Sequence, residues 1–158
     1  EFLYALTRLI RPEIAVEIGT AKGNSAIAIG QALYDNNRGM LHTIDPEEQE
    51  LMRIAMRKSG LLRHIRYHVG YSTKVIPRLG LPRIDFAFID GDHGEEHVRA
   101  DWELVRPFLV KDSVVAFHDT ILFEGPRKVI EGIILGGGYS FLTLPTINKA
   151  GISIVRKL

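Results

Sequence analysis

Two aspartates in this chain close apolar runs and have histidines beside them. Asp90 ends Ile84-Asp-Phe-Ala-Phe-Ile-Asp90, and Asp119 ends Ser113-Val-Val-Ala-Phe-His-Asp119. Asp92, His93, His97 and His118 fall in the same two regions. Two carboxylates with few histidines form a hard-oxygen donor set suited to Mg²⁺, Ca²⁺ or Mn²⁺. They equally fit a hydrogen-bonded polar cluster with no metal. A second stretch with chemical potential is Glu17-Ile-Gly19-Thr-Ala-Lys-Gly23-Asn-Ser25. Gly19 permits a sharp turn, and Gly23 lets a ligand or another element approach the backbone. A helix starting there presents free N–H groups to anionic ligand atoms. Glu17 suits a ligand with an ammonium group, as a methionine moiety has. The Gly-x-x-x-Gly spacing lacks the middle glycine that admits a pyrophosphate, which counts against a dinucleotide. Asp45, ending Leu41-His-Thr-Ile-Asp45, can accept both ribose hydroxyls of an adenosine. It can also cap a helix after Pro46.

The elements that must position these residues alternate along the chain. Strand-like runs at Ile14–Ile18, Leu41–Asp45, Ile65–Val69, Ile84–Asp90 and Ser113–Asp119 each lead into helical periodicity. Pro46 suits the first turn of a helix carrying Leu51, Ile54 and Ala55, which Gly60 closes. Ser72 or Thr73 is the expected N-cap of a short helix. Val98, Trp102, Val105 and Leu109 mark the core face of another, with Asp101 and His97 on its surface. Asp112 belongs to the turn into the fifth strand. Two last strands, Tyr139–Leu144 and Ile152–Arg156, are joined by a loop short enough for a hairpin. Strand–helix alternation calls for parallel pairing through right-handed crossovers. The expected fold is α/β: a Rossmann-like, doubly wound, seven-stranded and mostly parallel sheet, ending in an antiparallel hairpin, with helices on both faces. Ligands then bind at the strand carboxyl ends. One domain over residues 1–158 accommodates all of it.

Bulk properties narrow the classes of partner. Lys and Arg number 20 against 19 Asp and Glu, a formal charge of +1, so no broad field steers nucleic acid or an anionic membrane. The basic stretch Arg53, Arg57, Lys58, Arg63 and Arg66 reads as a solvated face. With no cysteine, disulfides, thiolate metal sites and cysteine nucleophiles are excluded, and a cytoplasmic location is the simplest expectation. No apolar run approaches the ~18 residues of a membrane span.

Four segments stand in one order at the strand ends: Val16-Glu-Ile-Gly-Thr-Ala-Lys-Gly-Asn-Ser25, His42-Thr-Ile-Asp45, Val69-Gly-Tyr-Ser-Thr-Lys-Val-Ile-Pro77, and Phe88-Ile-Asp-Gly-Asp-His93 together with Phe117-His-Asp119. In these, from about Ile14 to Thr120, the chain resembles the class I S-adenosylmethionine-dependent methyltransferases. Among them it is most similar to the metal-dependent O-methyltransferases of the catechol and macrolide-sugar types. The resemblance implies S-adenosylmethionine as cofactor, held by Glu17, Gly19, Thr20, Gly23, Ser25, Asp45, Gly70, Tyr71, Ser72 and Asp90. Glu17 and Ser25 would hold its methionine part, and Ser72 would touch the adenine edge. It implies a divalent cation, Mg²⁺ or Mn²⁺, at Asp90, His118 and Asp119. It also implies catalysis by His93 as general base with Asp90, on the hydroxyl of a small-molecule acceptor. Acceptor specificity would lie in the loops Thr120–Pro126 and Pro145–Gly151, and a homo-oligomer is compatible with this reading. One departure is His118, where these families carry an acid or amide. Histidine is softer, favouring Mn²⁺ or Fe²⁺ over Mg²⁺ or leaving the site without metal. Strand alternation would also send His118 and Asp119 to opposite faces unless the strand has ended. Competing readings are a nucleotide-dependent oxidoreductase, a cephalosporin-hydroxylase-like enzyme and a non-catalytic cofactor-binding module.

Overall fold

Seven apolar segments pair into one sheet: β1 (Ile14–Ile18), β2 (Met40–Asp45), β3 (Ile65–Val69), β4 (Ile84–Ile89), β5 (Leu109–His118), β6 (Tyr139–Leu144) and β7 (Ile152–Lys157). The computed structural model describes residues 1–146 and 149–158. The sheet order is β3-β2-β1-β4-β5-β7-β6. β1 to β5 are parallel neighbours, whereas β7 lies antiparallel between β5 and β6. The expected sheet is therefore present, with its hairpin turned so that the later strand is the inner one. β6 forms the edge, and its Phe141 and Leu142 are exposed.

Strands covered on both faces read as continuous apolar runs. Here Ala15, Leu41, Phe86, Phe88 and Ala116 pack against α2 (Asn24–Asp35) and α3 (Glu50–Ser59), with α1 (Phe2–Ile10) alongside. Val16, Ile44, Ala87, Val115 and Phe117 meet α5 (Glu95–Val105) and α6 (Glu124–Gly136) on the other face. The chain winds outward in opposite directions from β1 and β4, so a crevice opens between their carboxyl ends.

Several boundaries differ from the sequence expectations. α1 was not expected. α3 begins at Glu50, so Pro46 lies in the loop before it, and the buried residues are Met52 and Met56 rather than the 58%-exposed Leu51. The apolar positions of this helix fall on two faces, and tertiary packing selects the methionines. α4 (Ser72–Val75) has Tyr71 at its N-cap, because the Ser72 hydroxyl is engaged elsewhere. β5 starts at Leu109 rather than Ser113: Asp112 adopts φ 69° within it and the register to β4 shifts between Ile84 and Phe86. Gly60 ends α3 in the left-handed conformation, as expected. Among the described residues, no helix is long and apolar enough to cross a membrane.

Candidate active site

The crevice at the β1/β4 switch point is a cleft of about 540 Å³. Its walls come from the turns after four strands: Gly19 and Ala21, Asp45 to Glu47, Gly70 to Thr73, and Asp90 to Asp92; α5 adds His97, Ala100 and Asp101. Main-chain contacts bind these turns together. Gly70 N–H donates to Asp45 O at 2.8 Å and Asp90 N–H to Ile18 O at 2.8 Å. Gly19 has φ +97°, and a Cβ there would sit 2.1 Å from Asp90 O. Glycine at this position is thus required by the neighbouring strand end as well as by the turn. Gly23, also left-handed, is approached by Met52 Sδ of α3.

Asp45 stands at the centre of one wall. Its Oδ2 accepts Ala21 N–H at 2.8 Å and its Oδ1 accepts Glu47 N–H at 3.0 Å. The carboxylate therefore fixes the loops on either side and caps no helix, since α3 begins later. Each oxygen keeps a lone pair for a ligand hydroxyl.

Glu17 lies beneath the glycine turn, fully buried. Thr20 and Thr43 hydroxyls are 2.5 Å apart, and Thr43 donates to Glu17 Oε2 at 2.5 Å. With Thr43's only proton committed, Thr20 donates to Thr43, giving a polarised chain. Oε1 has no partner among the described residues. Burial is the main cause that pushes the Glu17 carboxyl up to about 7; the nearby Ser25 hydroxyl, outside hydrogen-bonding geometry, and the Thr43 hydrogen bond oppose it, and Asp90 and Asp45 add to it. A buried carboxylate with an orphan oxygen is an acceptor in want of a cation or donor.

At the other side of Asp90, the ends of β4 and β5 converge. β5 stops at His118, and Asp119 turns to φ 59°, which aspartate tolerates. That turn cancels strand alternation, so His118 and Asp119 reach the same place. His118 Nδ1 lies 3.2 Å from Asp90 Oδ1 and 3.2 Å from Asp119 Oδ1. The hydrogen bond to Asp90 leads the causes that raise the His118 imidazole to about 9. His93 Nε2 meets Asp119 Oδ2 at 2.5 Å, and its ring stacks on Phe123 at 4.2 Å between centroids. Ligand atoms of Asp90, His93 and Asp119 all lie within 4.8 Å of one another. The metal-capable group is therefore Asp90, His93 and Asp119: His93 stands where His118 was expected. His118, raised to about 9, holds a proton between the two carboxylates at neutral pH instead of offering a lone pair.

Of the remaining sequence candidates, Gly70, Tyr71 and Ser72 line the cleft, whereas Thr20, Gly23 and Ser25 are not part of its wall, and Glu17 lies behind it, fully buried. The loop Thr120–Pro126 is moored to β7 through Ser153 Oγ and Thr120 Oγ1, 2.9 Å apart. In Pro145–Gly151, residues 147 and 148 lie outside the described residues. One cleft residue was misplaced by the sequence reading. Asp101, expected on the surface of α5, is 7% exposed and accepts a hydrogen bond from Ser72 Oγ at 2.6 Å. Its spacing carried the signal, being three residues after Val98 and four before Val105, on the inward stripe.

Residues 16–120 match the family described as "Methyltransferase domain". The chain belongs to this family. The methyltransferase domain is 28% identical to a catechol O-methyltransferase of Niastella koreensis over 139 residues, 84% of this chain and 63% of that protein. It is 32% identical to a protein of Mycobacterium sp. (strain JLS) named as an O-methyltransferase, over 98% of this chain and 63% of that protein. It therefore spans under two thirds of the length of these relatives. Its fold matches the O-methyltransferase of Bacillus cereus solved in complex with SAH, with a TM-score of 0.87 at 19% identity, over 99% of this chain and 79% of that one.

Proposed function

We propose that residues 1–158 form one catalytic unit that transfers the methyl group of S-adenosylmethionine to a hydroxyl oxygen of a small molecule. The observation that carries this reading is the position of Asp90, which lines the nucleoside-sized cleft and also belongs to the Asp90–His93–Asp119 cluster. A methyl donor in the cleft and an acceptor oxygen at the cluster would meet at this residue. Asp45 would take the ribose hydroxyls, and the orphan Glu17 oxygen the ammonium end, with Ser25 beside it. Relatives named for O-methylation support oxygen as the accepting atom.

In the reaction the acceptor oxygen attacks the methyl carbon in line with the C–S bond, whose electron pair stays on sulfur. Alignment of the two reactants supplies the larger share of the rate, on the order of 7–11 kcal/mol. The hydroxyl proton passes to His93. Asp119 holds Nε2–H of that ring, which leaves the lone pair on Nδ1 to accept. Phe123 stacking keeps the imidazole in place. The paired carboxylates of Asp90 and Asp119 suit a hard divalent cation and would hold Mg²⁺ or Mn²⁺, with its other positions left to water and the acceptor oxygen. Bound there, the ion would lower the pKa of the acceptor hydroxyl.

The test is transfer of labelled methyl from S-adenosylmethionine to catechol. Asp119→Asn should lose about 100-fold or more in turnover while its affinity for S-adenosylhomocysteine stays within about threefold. Tight cofactor binding without transfer to any hydroxylated acceptor would instead indicate a binding module.

A further inference from the structure

The cleft wall contributed by α5 holds a carboxylate that nothing in the proposed chemistry uses. Asp101 projects from α5 and is 7% exposed. Its Oδ1 is committed to the Ser72 hydroxyl at 2.6 Å. Its Oδ2 makes no hydrogen bond among the described residues. No Lys or Arg forms an ion pair with it there, and its carboxyl is raised, chiefly by burial. Gly91 and His97 line the same cleft beside it. A Cβ built on Gly91 would stand 3.6 Å from Oδ2, so the glycine leaves that oxygen uncovered, and His97 is the cationic side chain that acts on it. A nearly buried carboxylate oxygen facing an open cleft is stabilised by an N–H donor from whatever occupies that cleft.

The rest of the cleft says which part of a ligand arrives there. Glu17 marks the ammonium end and Asp45 the ribose, so the wall of Gly70 to Thr73, Ala100 and Asp101 is left for the base. Adenine offers a donor at its 6-amino group, where hypoxanthine carries an oxygen that would face the carboxylate lone pairs. Resting on the cofactor reading above, we propose that Asp101 accepts a hydrogen bond from the exocyclic amino group of the cofactor and is the residue that selects adenine over a 6-oxo purine. Ser72 then acts through Asp101, holding its Oδ1 so that Oδ2 is presented to the base.

The experiment compares the affinities of S-adenosylhomocysteine and S-inosylhomocysteine by titration calorimetry, in the unaltered protein and in Asp101→Asn and Ser72→Ala. The unaltered protein should prefer the adenine ligand by about tenfold or more, the scale of one hydrogen bond to a charged group. Asp101→Asn should bring the ratio to within about threefold, because a carboxamide can turn its NH₂ toward a 6-oxo group. Ser72→Ala should keep most of the preference. A ratio unchanged in Asp101→Asn, with the melting transition intact and S-adenosylhomocysteine still bound, overturns the assignment and leaves the cofactor reading standing. Collapse of the ratio in Ser72→Ala alone would move the role to Ser72. Failure of the unaltered protein to bind S-adenosylhomocysteine overturns both readings.

Discussion

In the proposed reading, Glu17 couples the cofactor pocket to pH. Its folded pKa is raised to about 7 from 4.5, so the folded chain holds a proton that the unfolded chain releases earlier. Its contribution to stability is then undiminished below about 4.5, falls as pH rises toward 7, and changes no further above. A cationic ligand favours the ionised form, so cofactor binding should release a proton. Calorimetry of S-adenosylhomocysteine at pH 6.5 in buffers of different ionisation enthalpy should show fractional proton release, which Glu17→Gln abolishes. Equal apparent enthalpies in all buffers would contradict the role. Asp45→Ala should weaken the same ligand by about tenfold or more, through loss of hydroxyl contacts and of the two loop anchors. Unchanged affinity there would sink the placement of the ribose. The positions of these residues were legible in the sequence because Asp45 ends β2 and Glu17 lies one residue before the end of β1, where the fold collects ligand contacts. Asp101 was not, because its polarity outweighed its helical position in the reading. The convergence of His118 with Asp119 also needed the structure, since it hangs on one left-handed residue.

Among the elements, the turn after β1 bears the tightest constraint. Gly19→Ala would place a methyl group against Asp90 O and hold alanine at φ +97°. The expected loss is about 3 kcal/mol or more, or a displaced β4 turn. Gly60 supplies the control, because it too is left-handed at φ +72° but has open space around it. Gly60→Ala should cost about 1–2 kcal/mol. Urea midpoints of the two variants check the difference, and equal losses would show that conformation rather than contact dominates at Gly19. Strand positions were readable because parallel strands covered on both faces are apolar throughout. Helix faces were less so: in α3, Leu51 and Met52 are adjacent and both apolar, and only packing on β2 and β3 decides between them. α1 buries Thr7 and packs partly buried Phe2, Leu3 and Leu6, a pattern given little weight before the first glycine motif.

At the scale of the molecule, ligand binding should be visible as added stability. S-Adenosylhomocysteine at about 100 times its dissociation constant should contribute about 2.7 kcal/mol, or roughly 5–11 °C in Tm for a chain of this size. NADH should give no such shift, since the glycine spacing offers no pyrophosphate seat. A shift with NADH alone would restore the oxidoreductase reading. The near-neutral balance of 20 basic and 19 acidic residues accords with a small-molecule substrate rather than a polyanion. The backbone contact between Gly19 and Asp90 has a bearing on divergence. Beside it, the hydrogen bond from Asp90 N–H to Ile18 O ties the turn after β1 to the end of β4 through main chain, and in the proposed reading these are the donor and acceptor sides. Replacements at 93, 118 or 119 can alter the chemistry of proton and charge without altering that spacing. Descendants of such a chain would inherit its geometry intact while their acceptors change, the variation falling on the loops that follow β5 and β6.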